Sequence, residues 1–266
     1  MTYKNGNNIL NDYYGVALSI LNLDSHDALV YSENLERLYE IAYLLILSRT
    51  GKLMDSNGFH KIHAFGLAFE DMAYIAMMPS KGGKTTLFLD LISSNKNFEM
   101  ISDDTPVCDM RGNIYSFPLR IGVEPTHNIP DDLLKHSYTI DRLQYGKKIL
   151  IPLNVFPNLF SRIKSKSTIF TCRRIYDKSC RIEKSSTLAT FKDLQKHMVI
   201  GIGLPMILEY FLESNLLDFF RLSFIFLRRL ISSLVLSIKS KNYIVYLGTD
   251  LELNYSTMED FIKEKK

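Results

Sequence analysis

The sequence has little of what marks the extreme protein classes. It holds only three cysteines, Cys108, Cys172 and Cys180. An odd count without metal-ligand spacing argues against a disulfide framework and a zinc module, and fits a reducing compartment. Charge of one sign is scarce too. Lys and Arg total 32 against 29 Asp and Glu, a net charge of +3. With no dense basic patch interleaved with aromatics, nothing argues for nucleic acid as a partner. The chain lacks internal repeats, low-complexity tracts and any linker rich in Pro, Gly or Ser. Its first residues carry no apolar signal-peptide core, so the sequence reads as cytoplasmic.

Long uncharged apolar runs are missing as well. The stretch from Met206 to Lys239 is apolar, yet it contains Glu209, Glu213, Asp218, Arg221, Arg228 and Arg229. A membrane span needs about 20 nearly uncharged residues. The expectation is one or two buried amphipathic helices and no stable membrane insertion. The alternative is surface attachment through Phe219, Phe220, Phe224 and Phe226, with Arg228 and Arg229 at the rim.

What is present is a globular composition, 46% hydrophobic and 23% charged over 266 residues, enough chain for a real core. Tyr14–Leu21 and Ala28–Tyr31 read as strands. Asn34–Leu47 has apolar residues at helical spacing. Ile62–Phe69 and Met72–Met78 read as a hairpin around Glu70-Asp71. Short strands follow at Met100–Ser102, Val107–Met110 and Ile114–Phe117, with a turn over Asp109–Asn113. Ile129–Lys135 suggests a short helix. Lys147–Leu153 and Ser167–Arg174 read as strands separated by a loop at 154–158. Thr190 and Asp193 suggest a helix start, since a Thr followed three residues later by an acid satisfies free N–H groups. Helix then dominates to about Ile238, and Tyr243–Leu247 is a last strand. Strands come first and helices last, which predicts an α/β protein of α+β tendency with a mixed central sheet.

The most informative stretch is Met78-Pro-Ser-Lys-Gly-Gly-Lys-Thr-Thr86. It follows the apolar run Ala73–Met78 and opens into Thr86–Ile92, which reads as a helix. Strand, Gly-rich turn, Lys-Thr pair and helix form the context of a phosphate-binding loop. Glycines let the backbone approach an anion, and the helix N-terminus points N–H groups at it. Ser80, Lys81, Gly82, Gly83, Lys84, Thr85 and Thr86 are therefore the candidate nucleotide-binding residues. Lys84 would reach the outer phosphates, and the Thr85 hydroxyl would sit on Mg²⁺. Met78 stands where the usual pattern has its first Gly.

Asp103 and Asp104 follow the short apolar strand end at Ile101. Phosphoryl transfer to a hydroxyl needs one acid near the metal and benefits from a second that accepts a proton. Adjacent carboxylates also push one pKa up. Asp-Asp-Thr-Pro is turn chemistry as well. His63 lies upstream, read on the strand before the hairpin. It stands three residues from His60, on opposite strand faces, which disfavours a shared metal. Arg120 is a candidate phosphate partner, and Glu124 a candidate metal support.

Together these pieces resemble the catalytic domain of the HPr kinase/phosphorylase family and the shorter kinases related to it. That family carries a His on a strand upstream of its loop, a Gly-x-Ser-Gly-x-Gly-Lys-Ser/Thr loop and an Asp-Asp pair after the loop helix. His63, Ser80, Gly83, Lys84, Thr85, Asp103 and Asp104 stand in the matching positions. Met78 and Lys81 replace two loop glycines, and Arg120-Ile-Gly122 faintly matches a later family signature. The resemblance covers about residues 60–125. It implies one HPr-kinase-like P-loop domain over 1–266: N-terminal strands and helix to 58, a nucleotide-binding and catalytic core at 59–180, and a helical part with a final strand at 181–266. The phrases Ser-Asp-Asp-Thr-Pro and Phe-Pro-Leu-Arg-Ile-Gly are more similar to the kinases that phosphorylate the C-terminal Ser of lasso-peptide precursors. The resemblance thus implies ATP and Mg²⁺ as cofactors and a precursor peptide as substrate. Mg²⁺ would lie on Thr85 and Asp104, Asp103 would act as base, and His63 would hold nucleophile or phosphate, with the two Asp roles open to exchange. Lys81, Arg120 or Arg173-Arg174 would receive a terminal carboxylate. An HPr-type regulator kinase and a non-catalytic nucleotide-binding module are the alternatives, and a homo-oligomer is compatible with each.

Overall fold

The computed structural model describes residues 2–22, 24–25, 27–79, 82–95, 97–125, 129–142, 146–156, 163–200 and 216–264. Ser80, Lys81 and the first part of the expected helical stretch after Met206 lie outside the described residues.

The chain opens with an antiparallel meander of β1 (Thr2–Asn5), β2 (Asn8–Asp12), β3 (Leu18–Asn22) and β4 (Ala28–Tyr31). The strand expected from Tyr14 begins only at Leu18. Tyr14 and Gly15 both have positive φ, and the Asp12 carboxylate accepts from the Gly15 N–H at 2.8 Å, which makes a turn. Helix α1 (Leu35–Ser56) starts where expected. The Asn34 side chain accepts from the N–H groups of Glu36 and Arg37, a side-chain N-cap.

The central sheet contains β6 (Phe65–Phe69), β7 (Met72–Met77), β8 (Glu99–Ser102), β14 (Lys166–Arg174), β15 (Arg181–Lys184) and β16 (Lys241–Leu247), in the order β15-β16-β14-β7-β6-β8. It is mixed, as expected. β7 and β16 flank β14 in parallel, and β6 runs antiparallel to both β7 and β8. Hence β8, β7, β14 and β16 all point the same way. Their carboxyl ends share one edge of the sheet, where ligands of such sheets bind.

Side-chain alternation along β7 builds a core on each face. Tyr74 and Ala76, with Met78 just beyond the strand, join Leu87, Phe88 and Leu91 of α2 (Lys84–Ser94), and Met258 and Ile262 of α6 (Leu251–Glu264). Ala73, Ile75 and Met77 join Leu194 of α4 (Thr187–Leu194), Met198 and Leu236 of α5 (Leu216–Lys239). A strand buried on both faces reads as a continuous apolar run, which is why β7 was legible.

Two small sheets complete the fold. β10 (Ile114–Tyr115), β9 (Val107–Asp109) and β5 (Phe59–Lys61) form one; β11 (Ile121–Val123), β13 (Gly146–Ile151) and β12 (Tyr138–Arg142) form the other. The short helix α3 (Asp131–Leu134) precedes β12. The helix expected to start at Thr190 starts at Thr187 instead, because Ser186 accepts from the Ala189 N–H at 3.2 Å.

No helix among the described residues is long and apolar enough to cross a membrane. α5 leaves Phe220, Phe224 and Phe226 exposed, but Arg229 is 1% exposed and does not rim a surface. Its Nε donates to Asp55 at 3.0 Å, its Nη2 also pairs with Asp55, and its Nη1 donates to the Met198 carbonyl at 3.0 Å. His60 Nδ1 donates to the same carboxylate at 2.8 Å. Burial opposes the Asp55 charge, but the His60 hydrogen bond and the guanidinium overcome it and hold its pKa below the usual range. This buried cluster ties α1, β5 and α5 together.

Candidate active site

Backbone geometry accounts for both glycines ahead of α2. The Gly82 N–H donates to the Pro79 carbonyl at 3.0 Å, and a Cβ on Gly82 would stand 2.8 Å from that oxygen. Gly83 has φ of 85°, in the left-handed region, and a Cβ there would collide with Arg174 Nη2. As the N-cap of α2, Gly83 brings no capping side chain, so no side-chain cap occupies the first turn of the helix. Met78 is 1% exposed and packs in the core facing α2. Its φ is not positive, so the fold makes no demand for glycine at this position.

The carboxylates arrive from β8 at the same edge. Asp103 is 5% exposed, whereas the Asp104 side chain is 39% exposed. Lys84 Nζ pairs directly with Asp104 Oδ1, and His63 Nε2 lies 3.4 Å from the same oxygen. Thr85 Oγ1 donates to Asp103 Oδ2 at 3.4 Å. Asp103 Oδ1 is buried with no hydrogen-bond partner among the described residues. The loop lysine, the hydroxyl beside it, both acids and the histidine therefore meet in one place.

His63 reaches this site from a position the sequence did not suggest. It is not on a strand but in the bend between β5 and β6, which belong to different sheets. Three successive N–H groups find partners away from the central sheet. Ile62 donates to the Pro106 carbonyl at 2.8 Å, His63 to that of His197 at 2.7 Å, and Ala64 to that of Asp104 at 3.2 Å. The last bond sets the histidine backbone beside the acid pair. His197 Nδ1 donates back to the His63 carbonyl at 3.0 Å, and the two rings lie 5.8 Å apart. His197 sits in the π-helical turn Gln195–Val199, closed by the Ile200 N–H to the Gln195 carbonyl at 2.8 Å. No sequence signal pointed to His197, since its partner is distant in the chain.

Electrostatics separates the two acids. Burial first, and then the charge of Asp104, push Asp103 up to about 7 despite Lys84 and Lys148 nearby. Burial also opposes ionisation of Asp104, but hydrogen bonding to His63 and the charge of Lys84 overcome it, so Asp104 is held well below the usual carboxylate range. Burial and the charge of His63 lower His197 to about 4. Lys148 of β13 is lowered by burial and by Arg142, while Asp103, Asp104 and Glu124 act in the opposite direction.

The remaining candidates lie at the margin. The Arg120 guanidinium stacks over the Tyr43 ring at 3.9 Å and donates to the Tyr138 hydroxyl at 3.3 Å. Glu124 is 63% exposed and faces Arg142 at 3.8 Å. Arg174 sits on the loop itself: its Nε donates to the Gly82 carbonyl at 2.9 Å. Thr86 follows Thr85 in the first turn of α2. Among the described residues, no group of three His, Cys, Asp or Glu stands ready to hold a metal unaided. A scan against protein-family models finds no match to the chain, and a search of the curated proteins finds no relative.

Proposed function

We propose that the chain is an ATP- and Mg²⁺-dependent kinase of the HPr-kinase-like P-loop type. Its acceptor is a serine hydroxyl, the C-terminal residue of a short ribosomal precursor peptide of the lasso type. The observation that carries this reading is the convergence of Lys84, Thr85, Asp103, Asp104 and His63 at the mouth of a Gly-capped helix. Single-domain organisation, with the loop between β7 and α2, belongs to the same proposal.

The residues fit a magnesium ion. Mg²⁺ takes one or two carboxylates and completes its shell with phosphate oxygens and water, so a full protein cage is not needed. Asp103 Oδ1 is a buried oxygen without a partner among the described residues, and the Thr85 hydroxyl lies beside the same carboxylate. This geometry favours Thr85 with Asp103 as the metal pair, rather than Thr85 with Asp104. When bound, the ion would neutralise charge on the phosphates and keep Asp103 ionised.

The proton then falls to the more exposed acid. Asp104 is oriented by His63 and reachable from solvent. The serine Oγ forms a bond to the γ-phosphorus, the bond from that phosphorus to the β–γ bridging oxygen breaks, and ADP leaves. Asp104 accepts the serine proton, while Lys84 turns from Asp104 to the outer phosphates. The Gly82–Thr86 backbone supplies fixed N–H dipoles, which makes catalysis mainly positioning and electrostatics.

The test offers Mg-ATP with HPr and with two synthetic peptides ending in serine, one with a free terminal carboxylate and one amidated. Phosphate located on the terminal serine of the acid form by tandem mass spectrometry is the expected result. Phosphate on HPr alone replaces this acceptor with the regulator reading. ATP binding without transfer to any of these identifies a non-catalytic module.

A further inference from the structure

Helix α5 is turned inside out. A surface helix ordinarily packs its apolar stripe on the core and shows its polar face to water. Here Arg229, Ser232, Ser233 and Ser237 are buried, with Ile225 and Leu236 beside them. Three of these polar side chains are held within the protein. Arg229 pairs with Asp55, Ser233 Oγ accepts from Gln195 Nε2 at 2.9 Å, and Ser237 Oγ donates to the Leu234 carbonyl at 2.8 Å. The outer face is apolar: Phe220, Phe224, Leu227, Ile231, Leu234 and Ile238 are each between 39% and 63% exposed. Turning the helix to hide them would pull Arg229 from the buried Asp55 carboxylate.

The spacing of the exposed row says what fits over it. Phe224, Ile231 and Ile238 form one seven-residue repeat, and Phe220, Leu227 and Leu234 form a second, interleaved with the first. That pattern is the narrow seam of a coiled coil, whose natural cover is another helix of the same period. A parallel two-stranded pair is favoured by β-branched residues in one repeat and Leu in the other, which is how Ile231 and Ile238 are set against Leu227 and Leu234. The area also fits. At about 200 Å² for a whole side chain of this size, the exposed parts of the row amount to roughly 600 Å² per chain. Two copies would cover roughly 1,200 Å², the lower end of what a specific, stable interface buries.

Charge argues against a lipid surface as the cover. An interfacial helix meets anionic headgroups with Lys and Arg along its rim. Here Arg228 donates to the Ser56 carbonyl at 3.0 Å and lies over the Phe224 ring at 4.3 Å, and Lys239 donates to the Arg111 carbonyl at 2.8 Å. Both cations are committed to backbone oxygens of their own chain.

We infer that α5 is a dimer seam, on which a second copy of this chain lays its own α5 in parallel, the row from Phe220 to Ile238 against the same row. Such a contact uses one patch twice and closes at two chains. It stands independently of the nucleotide reading of the loop.

Sedimentation equilibrium of the full chain tests it. The parent should approach twice 30.7 kDa at micromolar concentration. Leu227→Glu combined with Leu234→Glu puts charge into the seam and should weaken association about a hundredfold or more. Its far-UV circular dichroism should match the parent, because both positions are exposed. Leu234→Cys adds a check without charge. Equivalent positions of a parallel seam face each other, so air oxidation with copper phenanthroline should link two chains through the introduced thiol. Cys108 and Cys172 are buried, and the parent is the control for Cys180. If the charged variant fails to fold, this cross-link decides alone. A parent that stays at 30.7 kDa at every concentration overturns the inference, and one that also binds anionic vesicles makes the face a membrane anchor. A folded charged variant that remains dimeric, or a dimer that gives no Leu234→Cys link, places the interface elsewhere and overturns it too.

Discussion

At the scale of single residues, Asp103 carries the most specific expectation. Its carboxyl is pushed up to about 7 in the fold, against an ordinary value of 3.8. A carboxylate raised in this way favours the folded state while it is protonated. That contribution is complete below the unfolded value and is lost as pH rises through about 7. Asp104 has the opposite sign, since its pKa is held down; its contribution is present above its ordinary value and lost only in strong acid. Asp103→Asn should therefore raise the thermal midpoint of the nucleotide-free protein near pH 8 and leave it unchanged near pH 3, a tenfold change in proton affinity being worth about 1.4 kcal/mol. Calorimetry at the two pH values checks this. An unchanged midpoint near pH 8 would mean that Asp103 is not the strained acid of the pair. Magnesium with nucleotide should remove the difference, because an ion beside Asp103 rewards its charged form.

At the scale of elements, the buried cluster beneath α5 is the part most sensitive to a single change. Arg229→Met would take the guanidinium away from the buried Asp55 carboxylate, at a cost of about 3–5 kcal/mol. A lower thermal midpoint is expected, and a midpoint within about 1 °C of the parent, well under what ~1 kcal/mol would move it, would show that the cluster contributes little. The Met198 carbonyl held by Arg229 belongs to the π-helical turn that also presents His197 to His63. Disturbing the cluster should therefore loosen the site as well as the fold. Elements whose signal is local were legible in the sequence. β7 announced itself as an apolar run, α1 by its helical spacing, and the loop by Gly82-Gly83-Lys84. Elements defined by partners were not. β1 and β2 are mostly half-buried or exposed, β12 and β15 are short edge strands, and α6 follows the strand taken as the last element. The misplacement of His63 has the same origin, since only the carbonyls of Pro106, His197 and Asp104 show that the strand breaks at Ile62.

At the scale of the whole molecule, one edge of a mixed sheet gathers everything the proposed chemistry needs. Strand β8 delivers the acids, β7 the loop and β14 Arg174, and the bend before β6 brings His63. Helix α1 packs against both β4 of the meander and β12 of the small sheet, linking the two. The candidate site was legible in the sequence where motif spacing carries chemistry, at Lys84, Thr85, Asp103 and Asp104. It was not legible at His197, Lys148 or the linking role of Arg174, which arise only when distant strands end side by side. Phosphoryl transfer at this edge is the central claim. The most direct measurement is the rate of ADP formation from Mg-ATP with a serine-terminated peptide, for the parent and for Lys84→Ala of matched thermal midpoint. A peptide-dependent rate in the parent that falls at least about a hundredfold in Lys84→Ala is the result predicted from loss of a phosphate-stabilising charge. Equal rates in the two proteins would contradict it.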